Sequence, residues 1–199
     1  MDSMALRTAR ILQNVSKEYW RVTKKYCSVL EMPILTRAST VDELAKLTDK
    51  GFVYVILDAC DTDNVVPEKA VSLGDEVATS LYNGTAQEEY WAIAPYLFQA
   101  DRALFQWLQE TLWSEAWGII AVSNAPLADI RAHFRKFLIV QSPEGEHWYF
   151  RFYDPRVLPV FLESSNSQEL NQFFGPIQAY AVSEPDSPQI RLMRKAEEG

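Results

Sequence analysis

The chain has 199 residues, 48% apolar and 23% charged, a balance that suits one folded domain, or one of two lobes, and excludes a disordered chain. No run of eighteen apolar residues occurs and Met1 to Arg10 lacks the apolar core of a secretory signal, so the expected location is the cytoplasm, with no membrane contact. The net charge of −8 divides unevenly: residues 1–30 carry six basic and two acidic groups (+4), residues 31–115 five basic and fifteen acidic (−10), and so acidic a middle argues against nucleic acid as a partner.

Residues 1–30 predict a long helix. Leu12, Val15, Tyr19, Val22, Tyr26 and Val29 recur at spacings of three and four, with Arg10, Lys17, Arg21, Lys24 and Lys25 off the stripe. Such a helix packs on its own domain or docks on another chain. Pro33 marks its end, and residues 31–39 read as a connector. Thr40 and Glu43 have the spacing of a capping box and open a short helix that Gly51 stops. Phe52 to Leu57 is an apolar run that suits a central strand. Pro67 opens a short helix interrupted at Gly74, Val77 to Tyr82 reads as an exposed strand, and Asn83-Gly84 as a turn. Ile93 to Phe98 is a strand that Pro95 confines to an edge or to its first residues. A helix from Asp101 buries Leu104, Trp107, Leu108, Thr111 and Leu112, with Trp113 and Trp117 as core anchors, and Gly118 to Val122 is the next strand.

The stretch from Leu127 to Arg156 reads as helix, strand, turn, strand and helix start. Leu127, Ile130, Phe134 and Leu138 line the helix, Phe137 to Val140 is β-prone, Ser142-Pro143-Glu144-Gly145 forms the turn, and His147 to Tyr153 returns. Asp154-Pro155 would cap the following helix, which carries Val157, Val160, Phe161 and Leu162. Leu170, Phe173 and Phe174 give another helix stopped at Gly175, Ile177 to Val182 a last strand, and the tail after Ser183 reads as mobile, although Ile190 to Met193 has the makings of an edge strand. The expected fold is therefore a mixed α/β domain on a mixed sheet of five to seven strands with flanking helices. Its parts are an N-terminal helix and connector (1–39), a core (40–183) and a tail (184–199).

Residues able to do chemistry are few. Asp58, Asp61 and Asp63 follow a buried strand, where a magnesium site would serve a phosphotransferase or hydrolase; turn and capping duty is the alternative. Neither an aspartyl-phosphate spacing nor a calcium-loop spacing is present. Cys27 and Cys60 lack the spacing of a zinc site and read as half-buried, reduced residues. Pairing Cys60 with His133 as nucleophile and base has no support in spacing, and His133, between Arg131 and Arg135, reads as solvated or partner-facing. No cofactor is expected.

Leu127, Ile130, Arg131, His133, Phe134, Arg135, Lys136, Phe137 and Leu138, followed by Phe150-Arg151-Phe152-Tyr153-Asp154-Pro155-Arg156, resemble the signature of the adaptor proteins of bacterial type VI secretion, the Tap-type effector chaperones. Tyr54 to Ala59, Leu81-Tyr82, Ala94 to Leu97, Trp117-Gly118 and Phe173 to Pro176 match in the same order. The resemblance implies a non-enzymatic adaptor that binds a secreted effector protein and helps load it onto the VgrG spike. It implies no catalytic residues. Residues 1–30 lie outside it, and their stripe keeps a self-associating structural module open as another reading, with the oligomeric state unassigned. The candidate partner-binding set is Arg131, His133, Arg135, Lys136, Arg151, Tyr153 and Arg156. Its cations have two destinations: internal pairing with Asp58 or Asp154, since an unpaired interior charge is costly, or a partner's surface.

Overall fold

In the computed structural model, which describes residues 34–48, 52–141, 145–184 and 189–196, the central strand does what its unbroken apolar run predicts. The elements follow the order β1 (Ile34–Thr40), α1 (Val41–Thr48), β2 (Val53–Asp58), α2 (Val65–Leu73), β3 (Ala78–Ser80) and α3 (Gly84–Glu89). A 3-10 turn at Trp91–Ile93 leads into β4 (Pro95–Gln99), α4 (Arg102–Thr111), β5 (Gly118–Val122) and α5 (Leu127–Arg135). Then come β6 (Ile139–Gln141), β7 (His147–Tyr149), α6 (Leu158–Ser164), α7 (Ser167–Phe174), β8 (Ala179–Ser183) and β9 (Gln189–Lys195). Seven strands form one sheet of order β1-β9-β8-β5-β2-β4-β3, and β6 and β7 pair by themselves. The fold is mixed α/β in one compact domain, as expected, but every neighbouring pair of strands is antiparallel.

Alternation along β2 assigns the two faces of the sheet. Val53, Val55 and Leu57 point to one face, where Val41 and Leu44 of α1, Val66 and Ala70 of α2, and Leu104, Phe105 and Leu108 of α4 cover them. Tyr54 and Ile56 point to the other, beneath Ile130 and Phe134 of α5, Leu158 and Leu162 of α6, and Leu170, Phe173 and Phe174 of α7. Helices thus sandwich the sheet, and β2 is buried on both sides. Local signals cap the helices, at Asp101 where predicted and at Asn166 where no cap was read. The Asp101 carboxylate accepts the Leu104 N–H (2.7 Å), and Asn166 and Glu169 close a reciprocal capping box on α7.

Several expectations need correction. Residues 34–39 are not a connector but most of β1, and 189–195 are not tail but β9, an interior strand between β1 and β8. β1 was obscured because its partner lies about 155 positions away, as in Ile34 opposite Lys195; β9 pairs locally with β8, in keeping with the edge strand read over Ile190 to Met193, and gains its interior place from β1. β3 is buried rather than exposed, Asn83-Gly84 opens α3 rather than a hairpin turn, and Thr111 faces solvent while Phe105 is buried. β6 and β7, read as strands of the domain, stay out of the main sheet and pair by themselves, while α5 covers one of its faces. β7 stops at Tyr149, and α6 begins at Leu158, so Asp154 shapes a turn before the helix instead of capping it. The expected helix over 1–30 and Cys27 lie outside the described residues.

Candidate functional site

Because Asp58 shares the phase of Tyr54 and Ile56, it leaves the end of β2 on the face that carries α5 to α7. There it is buried, and it pairs with the Arg151 guanidinium while accepting the Cys60 N–H at 3.1 Å. This ion pair joins a strand end to a segment 93 residues away. Two residues on from Phe152, Asp154 is buried as well. It accepts the Arg156 backbone N–H (2.9 Å), the Arg156 Nε (2.9 Å) and Nη2 (2.6 Å), a forked grip on a side chain that stays 72% exposed.

Three tyrosines wall the Asp58–Arg151 pair. The Tyr153 ring lies 5.9 Å from the Arg151 guanidinium carbon, and Tyr82 and Tyr149 meet edge to face with centroids 5.7 Å apart. Burial raises the Asp58 carboxyl above its ordinary range, and the Arg151 charge only partly offsets this. For Arg151 itself, burial disfavours the charge but the Asp58 carboxylate outweighs it, so the guanidinium stays protonated. Burial, followed by nearby negative charge, pushes Tyr153 well up, and burial does the same to Tyr149. Burial and the neighbouring Asp58 also raise the Cys60 thiol, which disfavours the nucleophilic thiolate.

The basic helix contributes a second kind of anchor. Arg135 reaches across to β3 and donates to the Leu81 carbonyl from Nε (2.9 Å) and to the Tyr82 and Ser80 carbonyls from Nη2 (2.7 and 3.4 Å). It thereby fixes the backbone beneath the tyrosine wall. His133 is buried, not solvated as its arginine neighbours suggested. Its Nε2 lies 2.8 Å from the Phe173 carbonyl oxygen, which also accepts the Tyr180 hydroxyl (2.9 Å). A carbonyl only accepts, so Nε2 carries the proton, and two donors satisfy the carbonyl at the end of α7. Burial holds His133 below its usual imidazole value. Of the remaining candidates, Lys136 is exposed, and Arg131 is half-buried with its Nε unpartnered among the described residues.

The site is thus an internally paired frame. Asp61 and Asp63 stay on the exposed turn after Asp58 with positive φ, and among the described residues no three His, Cys, Asp or Glu side chains form a group that could hold a metal. Cys60 has Asp58, Asp61 and Arg151 as its electrostatic neighbours, and His133 is engaged at α7. Sequence reasoning missed the roles of Tyr82 and Tyr149. The matched Leu81-Tyr82 pair marked a position, but only the fold brings Tyr149 against it.

A family model described as a domain of unknown function (DUF4123) matches residues 53–172, more than half of the chain. The chain belongs to this family. The DUF4123 match runs from the first residue of β2 into α7 and so contains both partners of the Asp58–Arg151 pair, the Asp154–Arg156 turn and the Arg135 anchor. No curated protein matches the chain. No solved structure matches it.

Proposed function

We propose that this protein is an adaptor of type VI secretion that binds an effector in the cytoplasm and helps load it onto the VgrG spike, without catalysing a reaction. DUF4123 is associated with type VI secretion effector chaperones. The observation that carries the reading is that the DUF4123 match spans one folded unit. Its Phe150 to Arg156 motif is tied to the end of β2 by the Asp58–Arg151 pair. A motif spent on holding its own backbone supports a binding scaffold better than a reactive centre, where polar groups must face a substrate. Within the candidate set, His133, Arg135, Arg151, Tyr153 and Arg156 serve as the frame, and exposed Lys136 and half-buried Arg131 are left to meet the partner.

The test is recovery of the tagged protein from its own cells with everything that stays bound. One large polypeptide and VgrG in near-stoichiometric amount are expected, with weaker recovery for Lys136→Glu at unchanged melting temperature. Recovery of the protein alone from cells that express the secretion cluster overturns the proposal.

A further inference from the structure

One stretch of the fold is firmly mounted yet buries nothing of its own. Neither α3 nor the Trp91–Ile93 turn contains a buried residue, and Tyr90, Trp91 and Ile93 remain 47%, 45% and 40% exposed. Apolar residues scattered singly on a surface need no explanation, but three large ones within four positions form a patch. Both ends of the stretch are fixed. Arg135 gathers the carbonyls of Ser80, Leu81 and Tyr82 just before it, and Ala94 just after it is fully buried and accepts the Ala59 N–H at 3.2 Å. In its middle the Tyr96 hydroxyl donates to the Trp91 carbonyl at 3.0 Å. A patch held this way loses little freedom on binding, and Trp and Tyr are the side chains that most often centre an interface.

The stretch's own charge has one sign. Residues 83–93 contain Glu88 and Glu89 and no cation, and the Ala59–Ala94 bond brings the turn with exposed Asp61 and Asp63 to the same end of the sheet. The cations nearest that end are engaged within the fold: Arg151 and Arg156 hold Asp58 and Asp154, and Arg135 holds the carbonyls of Ser80, Leu81 and Tyr82. An apolar centre with an acidic rim complements a segment that is apolar on one side and basic on the other.

We propose that the Tyr90-to-Ile93 patch docks a basic amphipathic segment of the effector, with apolar side chains against Trp91 and Ile93 and Lys or Arg side chains toward Glu88 and Glu89. The adaptor reading above supplies the effector as occupant; the chemistry of the segment comes from the patch. Full-length protein is compared with Trp91→Ala/Ile93→Ala and with Glu88→Gln/Glu89→Gln, all at exposed positions and expected to melt with the parent. The probes are a leucine–lysine peptide with leucines at helical spacing and its twin with glutamate in place of lysine, titrated by calorimetry.

The lysine peptide should bind the parent, lose about tenfold or more in affinity on the apolar double variant, and lose most of its salt dependence on the acidic one. Equal binding of both peptides, or of parent and apolar variant, overturns the proposal. In recovery from cells, loss of the effector from Trp91→Ala/Ile93→Ala alone supports it. Equal effector recovery by parent and variant overturns this surface while leaving the adaptor function standing. No effector on the parent overturns the adaptor reading, and with it the effector as occupant, even where the lysine peptide binds.

Discussion

On one face of the sheet, Val53, Val55 and Leu57 meet the aliphatic ridges of α1, α2 and α4, and no ion pair among the described residues is involved in the packing. On the other, Tyr54 and Ile56 meet a mesh of rings in which Phe134 stacks on Phe152 (5.4 Å) and Phe173 on Tyr180 (5.1 Å), with Phe161 edge-on to Phe173 (4.8 Å). That second face also holds the buried Asp58 and Asp154 and the buried His133. The first face is closed by local helical periodicity. The second needs partners far apart in sequence and polar groups that must find each other, so it specifies the fold more narrowly and is more easily damaged by pH.

Both faces depend on one close approach, which gives the largest expected effect. Gly118 starts β5 against β2, and a Cβ there would sit 1.9 Å from the Ile56 carbonyl oxygen, a backbone atom with nowhere to go. Gly118→Ala should separate β5 from β2 and cost more than about 4 kcal/mol, a large share of the roughly 5–15 kcal/mol that holds an ordinary domain folded. Circular dichroism of the purified variant checks this; a native melting curve would show that the strands can part without penalty to either face.

The next pair of substitutions sets the faces against each other. Leu108 of α4 is fully buried, and Leu108→Ala should cost about 2–5 kcal/mol by lost transfer energy and cavity, equally at pH 5 and pH 7.5. Arg151→Ala should cost about 2–3 kcal/mol at pH 7.5, less than the roughly 3–5 expected for a fully buried pair because Arg151 keeps 28% side-chain exposure. Its pH dependence has a definite sign. Burial already raises the Asp58 carboxyl above its unfolded value, and removing the Arg151 charge raises it further. The folded variant then holds its proton at pH values where the unfolded chain has released it, so stability is lost as pH rises from the unfolded carboxylate value through the folded one. Urea melts should show a smaller deficit for Arg151→Ala at pH 5 than at pH 7.5, and no such difference for Leu108→Ala.

The same contrast explains what the sequence made legible. β2, β5 and α4 follow from apolar period and from the Asp101 cap, and α7 from Leu170, Phe173, Phe174 and its stop at Gly175, each read within a dozen residues. β1 did not, because a run such as ILTRAST acquires its strand character from a partner at the opposite end of the chain; β9 was legible as an edge strand over Ile190 to Met193, and only its interior place depends on β1. Asp58 was visible as a carboxylate after a strand, and pairing with it was one of two destinations for the motif arginines. That Arg151 takes Asp58, that Arg156 takes Asp154, and that Arg135 takes backbone carbonyls depends on three-dimensional proximity alone. His133 looked solvated beside Arg131 and Arg135 because helical phase at one residue is a weak signal. Its burial is set by α7, forty residues on.

His133 offers the smallest and most local way to probe the aromatic face. Gly175, just past α7 with φ +46°, leaves room for the imidazole: a Cβ there would lie 2.5 Å from the ring's Cε1. Gly175→Ala should therefore cost about 1–3 kcal/mol for its positive-φ backbone and push the ring outward. In the parent, burial and the Lys136 charge hold the imidazole below its ordinary value, the Phe173 carbonyl opposing them. A depressed folded value means that stability is complete above the unfolded imidazole value near about 6.5 and is lost as pH falls through the folded value. Melts of His133→Asn between pH 7.5 and pH 5 should show less acid loss than the parent, although it starts lower. In Gly175→Ala, proton NMR of the His133 ring should titrate closer to the ordinary imidazole value. A ring that titrates as in the parent would mean that α7, not the ring, had moved to make room, and that the aromatic face yields at its backbone before it gives up the His133–Phe173 hydrogen bond.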